Sequence, residues 1–186
     1  MATLYKPALI TADHFGEMHR AGVLERFGRC ELWNGAIIEM GPQFFKHGAL
    51  KTAVADDLRD AIARTSFGFS VFQEVSVRLG TFHEPVPDVV VFDATGLEDG
   101  PIPVAAVRLL VEVATNSLDR DLVEKRPAYA AAGVPEYWVV DASARVIHQF
   151  WGPTPEGYTS SAVTRFGERI TAQAMAGVVL ETGGLG

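Results

Sequence analysis

The sequence predicts an α/β chain of α+β-like order, a mixed sheet flanked by helices with a helix and a β-hairpin at its N-terminus. Three observations lead there. Helical apolar spacing is confined to three regions, strand-like runs dominate the middle and the C-terminal third, and helices and strands do not alternate as a doubly wound fold requires. In chain order, "TADHFGEMHRA" (11–21) reads as a short helix with Thr11 as its N-cap. "CELWNGAIIEM" (30–40) places Asn34-Gly35 between two apolar arms, the strongest short-range hairpin signal, because both turn positions need positive φ.

From Gly48 to Arg64, Leu50, Val54, Leu58, Ala61 and Ile62 form one apolar helix face, and Lys51, Asp56, Asp57, Arg59 and Asp60 are expected on the other. "SVFQEVSVRLG" (70–80) alternates as one strand, with Gln73 and Glu74 on opposite faces. "VPDVVVFD" (86–93) is a more apolar strand with its proline at the start, where a missing N–H does least harm. Gly96–Pro103 reads as a loop. Arg108–Ala114 is the next strand, and Asn116 or Ser117 is expected to cap a helix over Leu118–Ala132 that Pro127 bends and Gly133 ends. "EYWVVD" and "RVIHQFW" follow as strands around the turn "DASAR", "EGYTSSAVT" adds another, and 181–186 is expected to be a loose tail.

The length of 186 residues suits one domain, 1–186, and 48% hydrophobic residues supply a full core. One cysteine, Cys30, allows no internal disulfide and agrees with a reducing, cytoplasmic setting. "MATLYKPALI" carries no signal-peptide pattern, and no apolar stretch approaches the ~20 residues needed to cross a bilayer, so no membrane partner is expected. The net charge of −7 gives no global attraction for nucleic acid, whose binding normally draws on Lys and Arg. His14 and His19 lie on different helix faces and do not suggest zinc.

One acidic residue is out of place. Glu112 lies inside the apolar run Leu109–Ala114, where a lone carboxylate costs several kcal/mol without a partner. Alternation puts Asp88 on the face of Val90 and Glu112 on that of Leu110, so neighbouring strands would project both acids from one side. Two carboxylates so close need a proton or a cation between them. Mg²⁺, with Mn²⁺ as a substitute, suits a site of one or two carboxylates and several waters. Lys125 on the following helix is the candidate positive group, and Glu74, Gln73 and His47 are accessory candidates. There are simpler readings. Asp88 begins a strand after a proline turn, Glu112 pairs with Arg108 or Arg120, and Lys125 pairs with Asp121 four residues earlier on a helix surface. Tyr129, Tyr137 and Trp138 read as core or interface aromatics.

The block "VPDVVVFD … LLVEVATNSLDRDLVEKRPAYAAAGVPEYWVVD" resembles the Uma family of restriction-endonuclease-like proteins, a branch of the PD-(D/E)XK nuclease superfamily. Pro87-Asp88 matches the PD motif and Glu112 the acid of the second motif. Ala114 stands where the superfamily pattern has lysine, and the family is understood to supply it from the next helix, at Lys125. The resemblance implies a restriction-endonuclease-like fold and a Mg²⁺-dependent phosphodiesterase site of Asp88, Glu112 and Lys125, with the Val113 carbonyl as a further ligand. The expected substrate is nucleic acid, DNA in the first place with RNA left open by the sequence, and the expected assembly a homodimer or higher homo-oligomer. The alternative is an inactive nuclease-like fold serving as a binding or oligomerisation module.

Overall fold

The computed structural model describes residues 7–185, so most of the N-terminal stretch read above as lacking a leader lies outside the described residues. Helix α1 (Ala12–Arg20) starts where its cap predicts, the Thr11 hydroxyl oxygen accepting the His14 N–H at 3.3 Å. Strands β1 (Cys30–Trp33) and β2 (Ala36–Glu39) form the hairpin, with Asn34 at φ 50° and Gly35 at φ 71°. A Cβ on Gly35 would sit 2.8 Å from Leu9 Cβ, so glycine is needed there for space as well as for φ. Phe15, Leu24 and Leu32 close a small core between α1 and this hairpin.

Helix α2 (Phe45–Ala63) begins three residues earlier than its apolar spacing suggests. β3 (Ser70–Gln73), β5 (Val89–Phe92), β7 (Val107–Ala114), β8 (Glu136–Asp141), β9 (Val146–Thr154) and β10 (Gly157–Arg165) build a six-stranded sheet in the order β10-β9-β8-β7-β5-β3. All its pairs are antiparallel except β7 with β8. That one parallel pair requires the chain to cross over between them, and the crossover carries helix α3 (Arg126–Ala131). α2 and the small pair β11 (Arg169–Thr171) and β12 (Val179–Glu181) cover one face of the sheet over Val89, Val91, Val111 and Trp138. The crossover covers the other, over Val90, Leu110, Tyr137 and Val139. No helix among the described residues is long and apolar enough to cross a membrane.

Three expectations need correction. The single strand over 70–80 is cut at Glu74, whose φ of 55° turns the chain out of the sheet. The chain resumes as β4 (Val77–Arg78), paired in parallel with β6 (Ile102–Pro103) inside the segment read as loop. Lys51, placed on the solvent face of α2, is buried, because its ammonium donates to Gln43 Oε1 at 2.5 Å and to Glu74. The tail is not loose through Leu185: residues Thr182–Leu185 form a short 3₁₀ turn, and Leu185 packs into the α2 side of the core. The Thr182 hydroxyl anchors it, accepting the Gly167 N–H at 2.8 Å and donating to the Glu168 carbonyl at 2.7 Å.

Leu185→Ala therefore removes buried side-chain volume and is expected to cost about 2 kcal/mol or more of unfolding free energy. Urea denaturation checks this, since a loose tail would leave the midpoint unmoved.

Candidate active site

Asp88 immediately precedes β5, at the point where that strand runs beyond its pairing with β7. Its carboxylate bridges two elements. Oδ2 accepts the Val113 backbone N–H at 2.8 Å, and Oδ1 lies 2.9 Å from His47 Nε2 on α2. A strand residue points its N–H and C=O to the same edge, so the Val113 carbonyl also faces the space beyond β5. Glu112, one residue earlier on β7, projects to the crossover side with Leu110 and Ala114.

The partner of Glu112 comes from the crossover. Lys125 Nζ donates to Glu112 Oε1 at 2.9 Å, and the Tyr129 hydroxyl donates to the same oxygen at 2.7 Å. Among the described residues the one buried side-chain oxygen or nitrogen without a partner is Asp57 Oδ2. Glu112 Oε2 accepts no hydrogen bond among the described residues and is not fully occluded, and Glu112, although buried, lines the adjoining cleft. That cleft has a volume of about 400 Å³, and Asp88, Glu112, Val113, His47, Asp121 and Lys125 are among its lining residues.

Ser117, Asp121, Lys125 and Tyr129 are spaced four apart and form one polar stripe turned towards the sheet. The Ser117 hydroxyl donates to Asp121 Oδ2 at 2.6 Å instead of capping the helix, and Asp121 Oδ1 is 4.0 Å from Lys125 Nζ. The segment is inside out, with Asp121 and Lys125 buried while Val123 is 68% exposed. Arg120–Lys125 winds as a π-helix, and α3 follows with Pro127 in its first turn. In an uninterrupted α-helix the Pro127 ring would press on the Val123 carbonyl four residues back. The wider turn, with the Arg126 N–H reaching the Asp121 carbonyl, relieves that clash.

The two arginines considered as partners for Glu112 go elsewhere. Arg120 pairs with the fully buried Glu31 of β1, which also accepts the Val86 N–H at 3.3 Å. Arg108 donates to the carbonyls of Ala105, Ala106 and Val107. Glu74 is held by Lys51 and by Arg29, the latter at 3.1 Å, and its carboxylate is not among the cleft-lining groups. Burial opposes the charge on Glu74, but the two cations hold its carboxyl below the usual range. Gln73 pairs in β3 with Val89 and likewise stands outside the cleft. Tyr129, Tyr137 and Trp138 are all fully buried.

Asp121, Tyr129, Arg120 and Glu31 were not legible as site residues. Asp121 and Lys125 look like an ordinary helical surface pair, and only the continuation of their spacing to Ser117 and Tyr129 hints at a buried polar face.

A sequence model of a family described as "Putative restriction endonuclease" matches residues 14–183. The chain belongs to this family, Uma2. A solved structure from Anabaena variabilis, described as a "putative nuclease belonging to DUF820", is similar with a TM-score of 0.64 and 17% identity. The match covers 84% of this chain and 88% of that one, and it shows a shared fold. No curated protein matches the chain. Membership of Uma2 and the nuclease-like fold together support a nuclease that acts on nucleic acid.

The donor set fits a hard divalent cation. No group of three or more His, Cys, Asp or Glu side chains among the described residues is placed to hold a metal. Mg²⁺ needs no such group, since one or two carboxylates and several waters satisfy it. Asp88, Glu112 and the Val113 carbonyl are the groups that would hold such an ion. Glu112 and Asp121 share the ammonium of Lys125, Asp88 faces His47, and Glu39 and Arg120 also line the cleft.

Burial pushes the Glu112 carboxyl up to about 8, against the pull of Lys125 and with repulsion from Asp121 and Asp88 adding to it. Burial also raises Asp121, whereas Lys125 is held charged by Glu112, Glu31 and Asp121 against its own desolvation. In metal-free protein the folded chain keeps the Glu112 proton between the unfolded carboxyl range near 4.5 and about 8, while the unfolded chain has released it. The Glu112 contribution to stability is thus present at low pH and falls as pH rises across that window, by at most about 1.4 kcal/mol per pH unit. Glu112→Gln is expected to flatten the decline, which urea titrations at pH 5, 6.5 and 8 with chelator present would detect. Tyr129→Phe removes one of the two donors to a buried carboxyl and is expected to cost about 1–2 kcal/mol in the same measurement.

Proposed function

We propose that the chain is a Mg²⁺-dependent endonuclease that hydrolyses phosphodiester bonds of DNA. The observation that carries this reading is the convergence on one cleft of Asp88, Glu112 and the ammonium of Lys125. A divalent cation bound there, Mg²⁺ or Mn²⁺, would acidify a water and offset charge on the phosphoryl oxygen.

The chain's own residues do the rest. The Val113 N–H and His47 hold the Asp88 carboxylate from two sides, so its oxygens have little freedom. Lys125 and Tyr129 hold one oxygen of Glu112 and leave the other without a hydrogen bond among the described residues. Lys125 lines that cleft beside both acids, where an ammonium orients an attacking water and opposes the charge that develops on phosphorus-bound oxygens. Its place on the helix after Glu112 does the work of the lysine that Ala114 cannot supply. Arg120, paired with Glu31, also lines the cleft.

Purified chain with Mg²⁺ or Mn²⁺ is expected to nick or cut plasmid DNA, and a chelator is expected to stop it. Asp88→Ala and Glu112→Ala should each remove about 10³-fold or more of the rate, and Lys125→Met about 10²–10³-fold, the usual scale for lost preorganised charge. Cleavage that survives both acid substitutions would sink the mechanism. The same preparation, inert towards every nucleic acid and unable to bind Mn²⁺ in calorimetry, would instead favour a binding or oligomerisation module.

A further inference from the structure

Beside the two acids the cleft opens onto aromatic surface. Phe44 and Phe45, where α2 begins, are 75% and 87% exposed, the two most exposed large hydrophobic residues among those described. Phe44 lines the cleft, and it also borders an adjoining hollow of about 450 Å³ with Lys46, Thr115, Asn116 and Ser143 among its other walls. His47, three residues after Phe44, makes the 2.9 Å contact with Asp88, so the two phenylalanines lie within one helical turn in sequence of the residue that meets the acid.

We propose that Phe44, with Phe45 beside it, is a stacking platform for an unpaired base of the strand whose phosphodiester enters the cleft. Single-stranded or locally unpaired nucleic acid is then the preferred substrate class. This rests on the nuclease reading above and narrows its substrate.

Charge and shape support the assignment. A duplex hides its base faces and offers mainly phosphates, which are bound by Lys and Arg that release counterions. This chain carries 23 acidic and 16 basic residues, and the cations nearest the acids, Lys125 and Arg120, are already paired with Glu112 and Glu31. Affinity for duplex phosphates is therefore poorly provided for. An unpaired strand offers π faces, and stacking on exposed aromatic side chains holds bases of any sequence without demanding a strongly basic surface. Asn116 and Ser143 in the same hollow supply polar groups for the edge of a stacked base, and Lys46 supplies one positive charge for its backbone.

The test is fluorescence anisotropy of full-length chain, with Ca²⁺ in place of Mg²⁺, on a labelled 12-nucleotide single strand and on the same sequence as a duplex. The single strand is expected to bind more tightly. Phe44→Ala should weaken single-strand binding on the order of ten-fold or more and leave duplex binding unchanged, as loss of one stacked base predicts. Phe44→Trp should keep the affinity, and Phe44→Leu should lose it as alanine does. A duplex preference, or full affinity in Phe44→Leu, would overturn the proposal. So would a Phe44→Ala variant that binds normally but no longer self-associates in sedimentation, because the rings would then belong to an interface between copies. Since binding is read without cleavage, an inert chain that still binds single strands through Phe44 would count against the nuclease reading alone. A chain that cuts duplex and single strand equally, with no effect of Phe44→Ala, would count against the stacking platform alone.

Discussion

A carboxylate near the end of a strand buried at every residue but Arg108 organises this molecule. Glu112 cannot be left without donors, and β5 and β8 on either side of its strand offer only backbone groups already committed to the sheet. The crossover that must join β7 to β8 is the one segment close enough to answer, and it answers with Lys125 and Tyr129 on a polar face turned inward. The topology of one parallel pair and the chemistry of one buried acid thus place the same demand on residues 115–135.

The cost of that arrangement is visible in the helix. It buries Asp121 and Lys125, exposes Val123, and winds as a π-helix ahead of Pro127. A regular amphipathic helix would give a more stable cover for the Leu110 face, but it would leave Glu112 unpaired. Replacing a buried ion pair with apolar residues of similar volume is often neutral or stabilising, so this cluster is no evidence of added stability.

The acidic balance of the chain is compatible with nucleic-acid chemistry when the site is considered locally. In the proposed reading a divalent ion would change the sign of the site it occupies. The exposed Phe44 and Phe45 offer affinity of a kind that net charge does not weaken.

Much of this was written locally. Thr11 sets the start of α1, Asn34-Gly35 sets the hairpin, and the apolar runs of β5, β7 and β8 announce themselves, because caps, turns and strand periodicity depend on residues only a few positions apart. The oddity of Glu112, and Asp88 and Lys125 as its companions, could be read from burial and resemblance. What could not be read was every choice made across the chain. Glu74 breaks a strand and meets Lys51 and Arg29, Lys51 turns inward, Asp121 leaves the surface, Arg120 goes to Glu31, and Leu185 closes the core. Each of these depends on a partner that lies many residues away, or on a helix face whose direction packing decides. A sequence states which side chains need partners, and only the folded chain determines which partners come within reach.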